Sequence, residues 1–116
     1  MTDITIFHNT RCSKSRATLA LIEDKTDNLT IVDYLKNPPT LAELSNIIAL
    51  LGFTSARQLM RTGEAVYKEL QLSEEQDEKQ LLQAMLDNPK LIERPIVLAN
   101  GKAKIGRPPE SVLTIL

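Results

Sequence analysis

The 116-residue chain has few cysteine and aromatic residues, and each shortage excludes a class of function. It contains a single cysteine, Cys12, two Phe, two Tyr and no Trp. One cysteine cannot form an intrachain disulfide, a multi-cysteine metal site or a dithiol redox centre. So few aromatic side chains offer little stacking surface for single-stranded nucleic acid. If the sulfur has a chemical role, it must act alone.

The chain also lacks an excess of positive charge and a long hydrophobic run. Its formal net charge is −1, from 14 basic and 15 acidic residues, which argues against binding duplex nucleic acid through phosphates. No segment approaches the roughly 18 apolar residues of a membrane-spanning helix, and the first residues do not resemble a secretory signal. We therefore expect a cytoplasmic protein that binds neither nucleic acid nor membranes.

The composition is that of an ordinary globular domain. Apolar residues make up 42% and charged residues 25% of the chain, close to the average for folded proteins. A chain of 116 residues can form one compact core but not comfortably two. We predict a single domain over residues 1–116.

The first third of the chain predicts a strand, a helix and a second strand. Residues 4–7 and 29–34 are rich in β-branched and apolar side chains and are typical of strands. The segment from Ser13 or Ser15 to about Asp24 has a helical composition, with a serine available to cap its first N–H groups. Such a βαβ unit should have parallel strands and a right-handed crossover.

The middle of the chain predicts helices only. A capping box at residues 40–43 opens a helix that Gly52 ends, and residues 55–60 are helical in character. A second capping box at residues 73–76 precedes another helix, which stops before Pro89.

The last quarter predicts a β-hairpin and a short helix. Residues 95–98 and 103–105 are typical of strands, and the Asn-Gly pair at 100–101 is a strong hairpin signal. Two prolines then precede a final helix over residues 110–116. The order β-α-β-α, further helices, β-β-α suggests an α/β fold, a thioredoxin-like mixed sheet with a helical insertion.

Cys12 lies where the first strand passes into the first helix. No acidic residue occurs between Asp3 and Glu23, and the segment is locally basic, with His8, Arg11, Lys14 and Arg16. A helix N-terminus and nearby cations both lower the pKa of a thiol and so favour its reactive thiolate. A lone cysteine is more often a small buried hydrophobic side chain. The loop position favours a reactive thiol.

A second segment without acids, residues 94–109, contains Arg94 and Arg107. Loops at the strand ends of an α/β sheet meet in space, so both basic segments can line one anion pocket beside the sulfur. Arginine grips tetrahedral oxyanions with a planar fork of donors. Thr18 stands where a thiol phosphatase loop would have arginine, and Ser15 stands where a Cys-x-x-Cys motif would have its second cysteine.

Two further arginines, Arg57 and Arg61, are four residues apart in a predicted helical segment. Residues at this spacing lie on one helix face. From this spacing alone, a solvated stripe is a better interpretation than a ligand clamp.

Taken together, the sequence resembles the glutaredoxin-coupled arsenate reductase family over almost the whole chain. The resemblance rests on several short segments, which are the strand at 4–7 followed by His8-Asn9, Cys12-Ser13-Lys14-Ser15-Arg16, Tyr34-Leu35 with Asn37-Pro38-Pro39, Leu59-Met60-Arg61, Arg94-Pro95-Ile96-Val97 and Gly106-Arg107-Pro108. It implies a thioredoxin fold with a helical insertion.

The same resemblance implies a set of roles for individual residues. Cys12 falls on the catalytic cysteine, and the oxyanion-binding arginines fall on Arg61, Arg94 and Arg107. His8 would help to favour the thiolate and Ser15 would hydrogen-bond near it. The Arg94–Pro95 peptide would be cis.

The reaction implied by the resemblance reduces arsenate to arsenite through a covalent Cys12 adduct. Glutathione, as co-substrate, and glutaredoxin would supply the electrons, and no metal or bound organic cofactor would be needed. Ser13 and Lys14 stand where several members have glycine and threonine, which adds a cation near the pocket.

Two alternatives remain open. One is an Spx-like regulatory protein that binds RNA polymerase, although regulators with a redox switch typically carry Cys-x-x-Cys. The other is a thiol-transfer enzyme that acts on glutathione mixed disulfides and uses the arginines to bind a glutathione carboxylate.

Overall fold

The computed structural model describes residues 3–116 and has the predicted order of elements. Its strands are β1 (Asp3–His8), β2 (Asn28–Asp33), β3 (Ile96–Ala99) and β4 (Lys102–Ile105). Its α-helices are α1 (Ser13–Ile22), α2 (Leu41–Leu50), α3 (Ala65–Glu69) and α4 (Glu78–Asp87). Short 3₁₀ helices span Ala56–Leu59, Leu72–Glu74, Pro89–Leu91 and Pro109–Ile115. The 3₁₀ helix Pro109–Ile115 stands where a final helix over residues 110–116 was predicted. Over residues 3–116, no helix has both the length and the hydrophobicity needed to span a membrane.

The described chain divides into two compact units. The sheet unit contains the residues up to Asn37 together with Arg94–Leu116, and the helical unit contains Pro38–Glu93. The sheet unit includes β1 to β4 and α1, whereas the helical unit includes α2, α3 and α4. A single domain over residues 1–116 stays a prediction.

The strands of the sheet unit lie in the order β2-β1-β3-β4. β1 pairs in parallel with β2, as predicted, and antiparallel with β3, while β3 and β4 form an antiparallel pair. His8 is in register with Asp33 at the ends of the parallel pair. The carboxyl ends of β1 and β2 therefore lie side by side, and the chain leaves β1 there to enter the Cys12 loop.

Buried side chains from the two central strands, α1 and the C-terminal 3₁₀ helix form one core. It consists of Ile4, Ile6, Ile22, Val97, Ala99, Val112 and Ile115, with Leu19, Leu29 and Leu116 packed against it. Burying one Leu, Ile or Val side chain stabilises a fold by about 1.5–3 kcal/mol. This core anchors α1, whose first residue follows Cys12.

One capping prediction is confirmed and another is wrong. Thr40 Oγ1 accepts from Glu43 N–H at 3.1 Å, and Glu43 Oε1 accepts from Thr40 N–H at 3.0 Å. The helix predicted to begin at residues 73–76 instead follows Asp77, whose carboxylate accepts from Lys79 N–H at 2.9 Å. An aspartate at the N-cap makes a charge-assisted hydrogen bond to this N–H group.

The turns predicted from Gly52 and from Asn100-Gly101 are both present. Gly52 follows α2 with a φ of +78°, a left-handed conformation that suits glycine. Asn100 and Gly101 have φ values of +54° and +72° and join β3 to β4 as a tight hairpin. Asn100 Nδ2 also donates to Ile115 O at 2.9 Å, which ties the hairpin to the C-terminal 3₁₀ helix.

Gly106 occupies a position with no room for a side chain. Its N–H donates to Pro95 O at 2.9 Å, and a Cβ there would meet Thr18 Oγ1 and lie 2.8 Å from Pro95 Cγ. A methyl group would displace α1 or the segment that carries Pro95. The glycine thus permits the close packing of three segments beside Arg107.

We expect Gly106→Ala to destabilise the protein by about 1–3 kcal/mol, the range for overpacking a tight site. Urea unfolding followed by circular dichroism measures the change. Gly63→Ala is the matched control, because a Cβ at Gly63 meets nothing within 4 Å. Equal unfolding midpoints for the two variants would contradict the tight packing at Gly106.

Candidate active site

Cys12 itself is the N-cap residue of α1, which corrects the prediction of a serine cap. The helix begins at Ser13, and Cys12 has the extended backbone typical of an N-cap, with φ −94° and ψ 121°. Its sulfur makes no regular capping hydrogen bond, but it interacts with the N–H groups of Lys14 and Ser15 in the first turn of the helix. A thiol at this position faces the unpaired N–H groups of the first helical turn.

The surroundings of Cys12 favour its thiolate. Its side chain is buried, with 8% relative exposure. Burial raises the pKa of this thiol, but the N–H of Ser15, the side chain of Arg94 and the N–H of Lys14 lower it more, so the pKa lies below its ordinary value. The thiolate fraction near neutral pH is therefore larger than for an ordinary cysteine.

The cations next to Cys12 in sequence are not the groups that lower its pKa. Arg94 acts through both its hydrogen bond and its charge, whereas Lys14 acts through its backbone N–H. Arg16 instead donates a hydrogen bond from Nη1 to Thr10 O at 2.9 Å. The lowered pKa therefore depends on the local N–H groups of Ser15 and Lys14 together with Arg94, which comes from the far end of the sequence.

His8 and Ser15 form a buried hydrogen bond behind the Cys12 loop. His8 Nδ1 and Ser15 Oγ are 2.6 Å apart, and Asn9 N–H donates to Ser15 Oγ at 3.0 Å. The relative exposures are 6% for His8 and 0% for Ser15. The pair joins the end of β1 to the first turn of α1, so it fixes the backbone N–H of Ser15 that faces the sulfur.

The surroundings of His8 favour its neutral imidazole. Burial lowers its pKa, Asp33 raises it and Arg16 lowers it, and the result lies below the ordinary value. Ser15 Oγ accepts from Asn9 N–H, so its own proton fits a bond to Nδ1 in the tautomer with the His8 proton on Nε2. In this neutral form His8 carries no charge, and it contacts the Cys12 loop through its hydrogen bond with Ser15.

Arg94 and Arg107 lie together in the sheet unit. The carbonyl oxygen of Arg94 accepts from Arg107 Nε at 3.1 Å, and the Arg107 side chain is exposed. The Arg94–Pro95 peptide is cis, as the resemblance predicts, and so is Arg107–Pro108. Cys12, Arg94 and Arg107 are thus connected by one chain of contacts: the thiol to the Arg94 side chain, and Arg107 to the Arg94 backbone.

Arg61 belongs to the helical unit, where two carboxylates hold it. Its Nε donates to Glu64 Oε1 at 3.2 Å and its Nη1 donates to Glu93 Oε1 at 3.3 Å. Its backbone N–H donates to Leu91 O at 2.7 Å. Two acids of different segments therefore orient one guanidinium, and the role of Arg61 as an oxyanion ligand stays a prediction.

Arg57 does not share a solvated helix face with Arg61, because the helix is a short 3₁₀ turn that ends at Leu59. The Arg57 guanidinium donates to Tyr67 Oη, Leu72 O and Glu75 O at 2.5–2.7 Å. It therefore ties together three segments of the helical unit.

We expect Arg57→Met to lower the free energy of unfolding by about 1–3 kcal/mol, because it leaves partly buried acceptors without a donor. Chemical denaturation of the whole protein measures the loss. Lys68→Met is a suitable control, since it makes a similar change at an exposed position of the same unit. If both variants unfold at the wild-type midpoint, the interpretation of Arg57 as a structural tie is wrong.

Sequence reasoning missed several partners of the candidate residues. Asp33 interacts with His8, and Glu64 and Glu93 bind Arg61. The register of two parallel strands could have suggested Asp33, because each strand ends at one of these residues. Nothing in the sequence indicates the pairing of Glu93 with Arg61.

A metal site has no support in the described residues. Within residues 3–116, no group of three or more His, Cys, Asp or Glu side chains is placed to hold a metal ion.

Comparison with known proteins relates almost the whole chain to one family. The ArsC family model matches residues 7–115. The chain is 54% identical over 114 residues to the protein YfgD of Escherichia coli K12, covering 97% of this chain and 96% of that protein. It is 51% identical over 117 residues to the arsenate reductase of Neisseria meningitidis serogroup A, covering all of both chains.

A solved structure matches equally well. The arsenate reductase from Vibrio cholerae superposes with a TM-score of 0.94 at 46% identity, covering 99% of this chain and 98% of that one. The fold is therefore that of a thioredoxin-like α/β protein with a helical insertion, as the sequence predicts.

Proposed function

Because the chain belongs to the ArsC family, we propose that it is an arsenate reductase whose nucleophile is Cys12. The observation that carries this proposal is the thiol at the N-cap of α1, whose pKa is lowered by helix N–H groups and by Arg94. A buried thiolate beside an arginine is suited to attack a tetrahedral oxyanion. Relatives named arsenate reductase span the chain from end to end.

The arginines would bind the substrate and offset its negative charge. Arg94 contacts the sulfur, and Arg107 bonds to the Arg94 backbone, so both can serve an oxyanion held next to Cys12. Arg61 is the third proposed ligand. Its Nε and Nη1 donate to the carboxylates of Glu64 and Glu93, which hold the guanidinium in one orientation. Such preorganised donors stabilise the charge that develops on the arsenate oxygens.

The first chemical step forms a covalent adduct. The Cys12 thiolate attacks arsenic, an S–As bond forms and one As–O bond breaks. The departing oxygen takes up protons and leaves as water. The Ser15 and Lys14 N–H groups that stabilise the thiolate also hold the sulfur in place for this attack.

The second step reduces arsenic with an external thiol, because the chain has no second cysteine. A glutathione thiolate attacks the Cys12 sulfur, so an S–S bond forms and the S–As bond breaks. The electron pair of that bond stays on arsenic, which leaves as arsenite. Two thiols are oxidised to a disulfide while As(V) gains two electrons.

Thiol–disulfide exchange then returns the enzyme to its starting state. A glutaredoxin thiolate attacks the glutathione sulfur of the mixed disulfide and releases the Cys12 thiolate, a good leaving group because of its low pKa. All electrons come from thiols, so the proposed cycle uses no metal or bound cofactor. We place this reaction in the cytoplasm, where glutathione and glutaredoxin keep thiols reduced.

The test is arsenate-dependent NADPH oxidation in the presence of glutathione, glutathione reductase and glutaredoxin. We expect saturable activity that disappears when glutaredoxin is omitted. Activity that persists unchanged without glutaredoxin would overturn the proposed electron source. Absence of arsenate turnover, with a folded protein and a reactive Cys12, would instead favour a regulatory protein or a thiol-transfer enzyme.

A further inference from the structure

A second feature of the sheet unit is a cavity beside the Cys12 loop, at the carboxyl ends of β1 and β2. Its volume is about 290 Å³, near the lower limit for small-ligand pockets. It is lined by Asn9, Thr10, Arg11, Asp33, Leu35 and Lys36. Open α/β sheets bind ligands at the carboxyl ends of their parallel strands. The proposed arsenate chemistry does not use these lining side chains.

Hydrogen bonds fix the two backbone segments that form the cavity wall. On the β1 side, Cys12 N–H donates to Asn9 O at 3.1 Å and Arg11 N–H donates to Asn9 Oδ1 at 2.9 Å. The residues of this wall therefore immediately precede the sulfur in a closed turn. A ligand seated in this cavity would lie against the loop that carries the nucleophile.

The wall on the β2 side is a turn organised by Asp33. Its carboxylate accepts from Leu35 N–H at 3.2 Å, and its carbonyl oxygen accepts from Lys36 N–H at 3.1 Å. The strand pairing of His8 with Asp33 holds the two turns side by side. The backbone of both cavity walls is thus held in place by the fold.

The charges of the lining define what the cavity can bind. Arg11 and Lys36 provide two cations, Asp33 provides one carboxylate, and the exposed side chain of Leu35 provides an apolar surface. The ligand that matches this set has two carboxylates, one ammonium group and a short flexible chain. A γ-glutamyl tripeptide thiol such as glutathione has these groups at neutral pH.

We propose that this cavity, which we call the β1–β2 pocket, is the subsite for the peptide thiol that reduces the Cys12 adduct. Arg11 and Lys36 bind its two carboxylates, and Asp33 binds its ammonium group. This inference rests on the proposed function for the identity of the reductant. It adds the place where that reductant binds, separate from the arginines assigned to arsenate.

Binding is tested first, without any arsenate chemistry. S-methylglutathione has the same charges but cannot exchange disulfides, so it serves as the probe. We expect its titration to shift the ¹⁵N-amide NMR signals of the β1–β2 pocket residues. Arg11→Gln and Lys36→Gln should each raise the dissociation constant of S-methylglutathione about fivefold or more. Lys25→Gln, which removes an exposed cation elsewhere in the sheet unit, should leave it unchanged.

A chemical control tests the charge match directly. Esterification of both carboxylates of S-methylglutathione removes the partners of Arg11 and Lys36. We expect the ester to bind the wild-type protein at least about fivefold more weakly than the free acid does. Replacing Lys36 by glutamine should then weaken the binding of the ester less than it weakens the binding of the free acid. An ester that binds as well as the free acid would overturn the assignment of Arg11 and Lys36.

Turnover provides the second readout. In Lys36→Gln the KM for glutathione should rise about fivefold or more while the KM for arsenate stays unchanged. If the wild type reduces arsenate with glutathione but the probe shifts signals elsewhere, the subsite is wrong and the proposed function stands. If the probe shifts the signals of the β1–β2 pocket but arsenate is not reduced, the proposed function is wrong and the pocket stands only as a peptide-binding site.

Discussion

Cys12→Ser is expected to lower arsenate turnover by at least about a thousandfold, as is typical when a catalytic nucleophile is removed. A serine hydroxyl stays protonated near neutral pH, so the helix N–H groups and Arg94 have no anion to stabilise. It can form neither the S–As bond nor the mixed disulfide. The loss should appear in kcat and should not be restored by more glutathione.

The fold and the anion site should survive this change. Serine is close to cysteine in size and is a favourable N-cap residue, so the urea midpoint should stay near that of the wild type. Oxyanion binding, measured by calorimetry with arsenate, should also persist. Ser13→Ala, an exposed change at the next position, is the matched control and should keep wild-type activity. A Cys12→Ser protein with wild-type turnover would exclude the proposed mechanism.

Arg94→Gln is expected to lower kcat/KM by about 10²–10³, the usual loss when one preorganised oxyanion donor is removed. Two effects combine, because Arg94 is proposed to bind arsenate and also contacts the sulfur. Loss of its hydrogen bond and its charge raises the pKa of Cys12. The thiolate fraction at pH 7 therefore falls in the variant.

The pKa effect is measured separately from turnover through the pH dependence of iodoacetamide alkylation. The pH at which the wild type reaches half of its maximal alkylation rate should be lower than for an ordinary cysteine. In Arg94→Gln this midpoint pH should be higher than in the wild type. Arg94→Lys keeps the charge but not the planar fork, so it should restore part of the pKa effect and little of kcat/KM. Lys104→Gln removes an exposed cation of β4 as a control. Identical alkylation profiles for Arg94→Gln and wild type would contradict the contact.

Much of the secondary structure could be predicted because its causes are local. The strands at β1 and β2 follow from short runs of β-branched residues, and the hairpin follows from Asn100-Gly101, whose positive φ values the turn requires. The capping box at Thr40 was readable because both of its partners lie within four residues. Where two local signals compete, as with Ser73 and Asp77, the sequence pattern alone chose the wrong helix start.

The candidate site could be predicted only in part from the sequence. The position of Cys12 between a strand and a helix indicated a low thiol pKa, and the direction of the shift agrees. The helix N–H groups were predicted to lower this pKa, and they do, but the cations next to Cys12 in sequence were given the role that Arg94 fulfils. Charge in sequence proximity says little about the distance from a side chain to the sulfur.

The resemblance supplied what spacing could not. Arg61 was indistinguishable from Arg57 by position, since both lie in one short segment. In the structure Arg57 donates hydrogen bonds to Tyr67 and to two backbone carbonyl groups, while Arg61 forms ion pairs with two glutamates. The resemblance therefore singled out Arg61, and the contacts of the Arg57 guanidinium show why Arg57 is a structural residue.

The sequence by itself determined the order of elements, the tight turns and the lone thiol, because these depend on residue identity and near neighbours. Only the tertiary structure decided which groups set the pKa of Cys12, which acids hold Arg61 and where the β1–β2 pocket lies. Those properties depend on distances between segments far apart in the chain. Strand pairing and core packing fix such distances, and no local pattern encodes them.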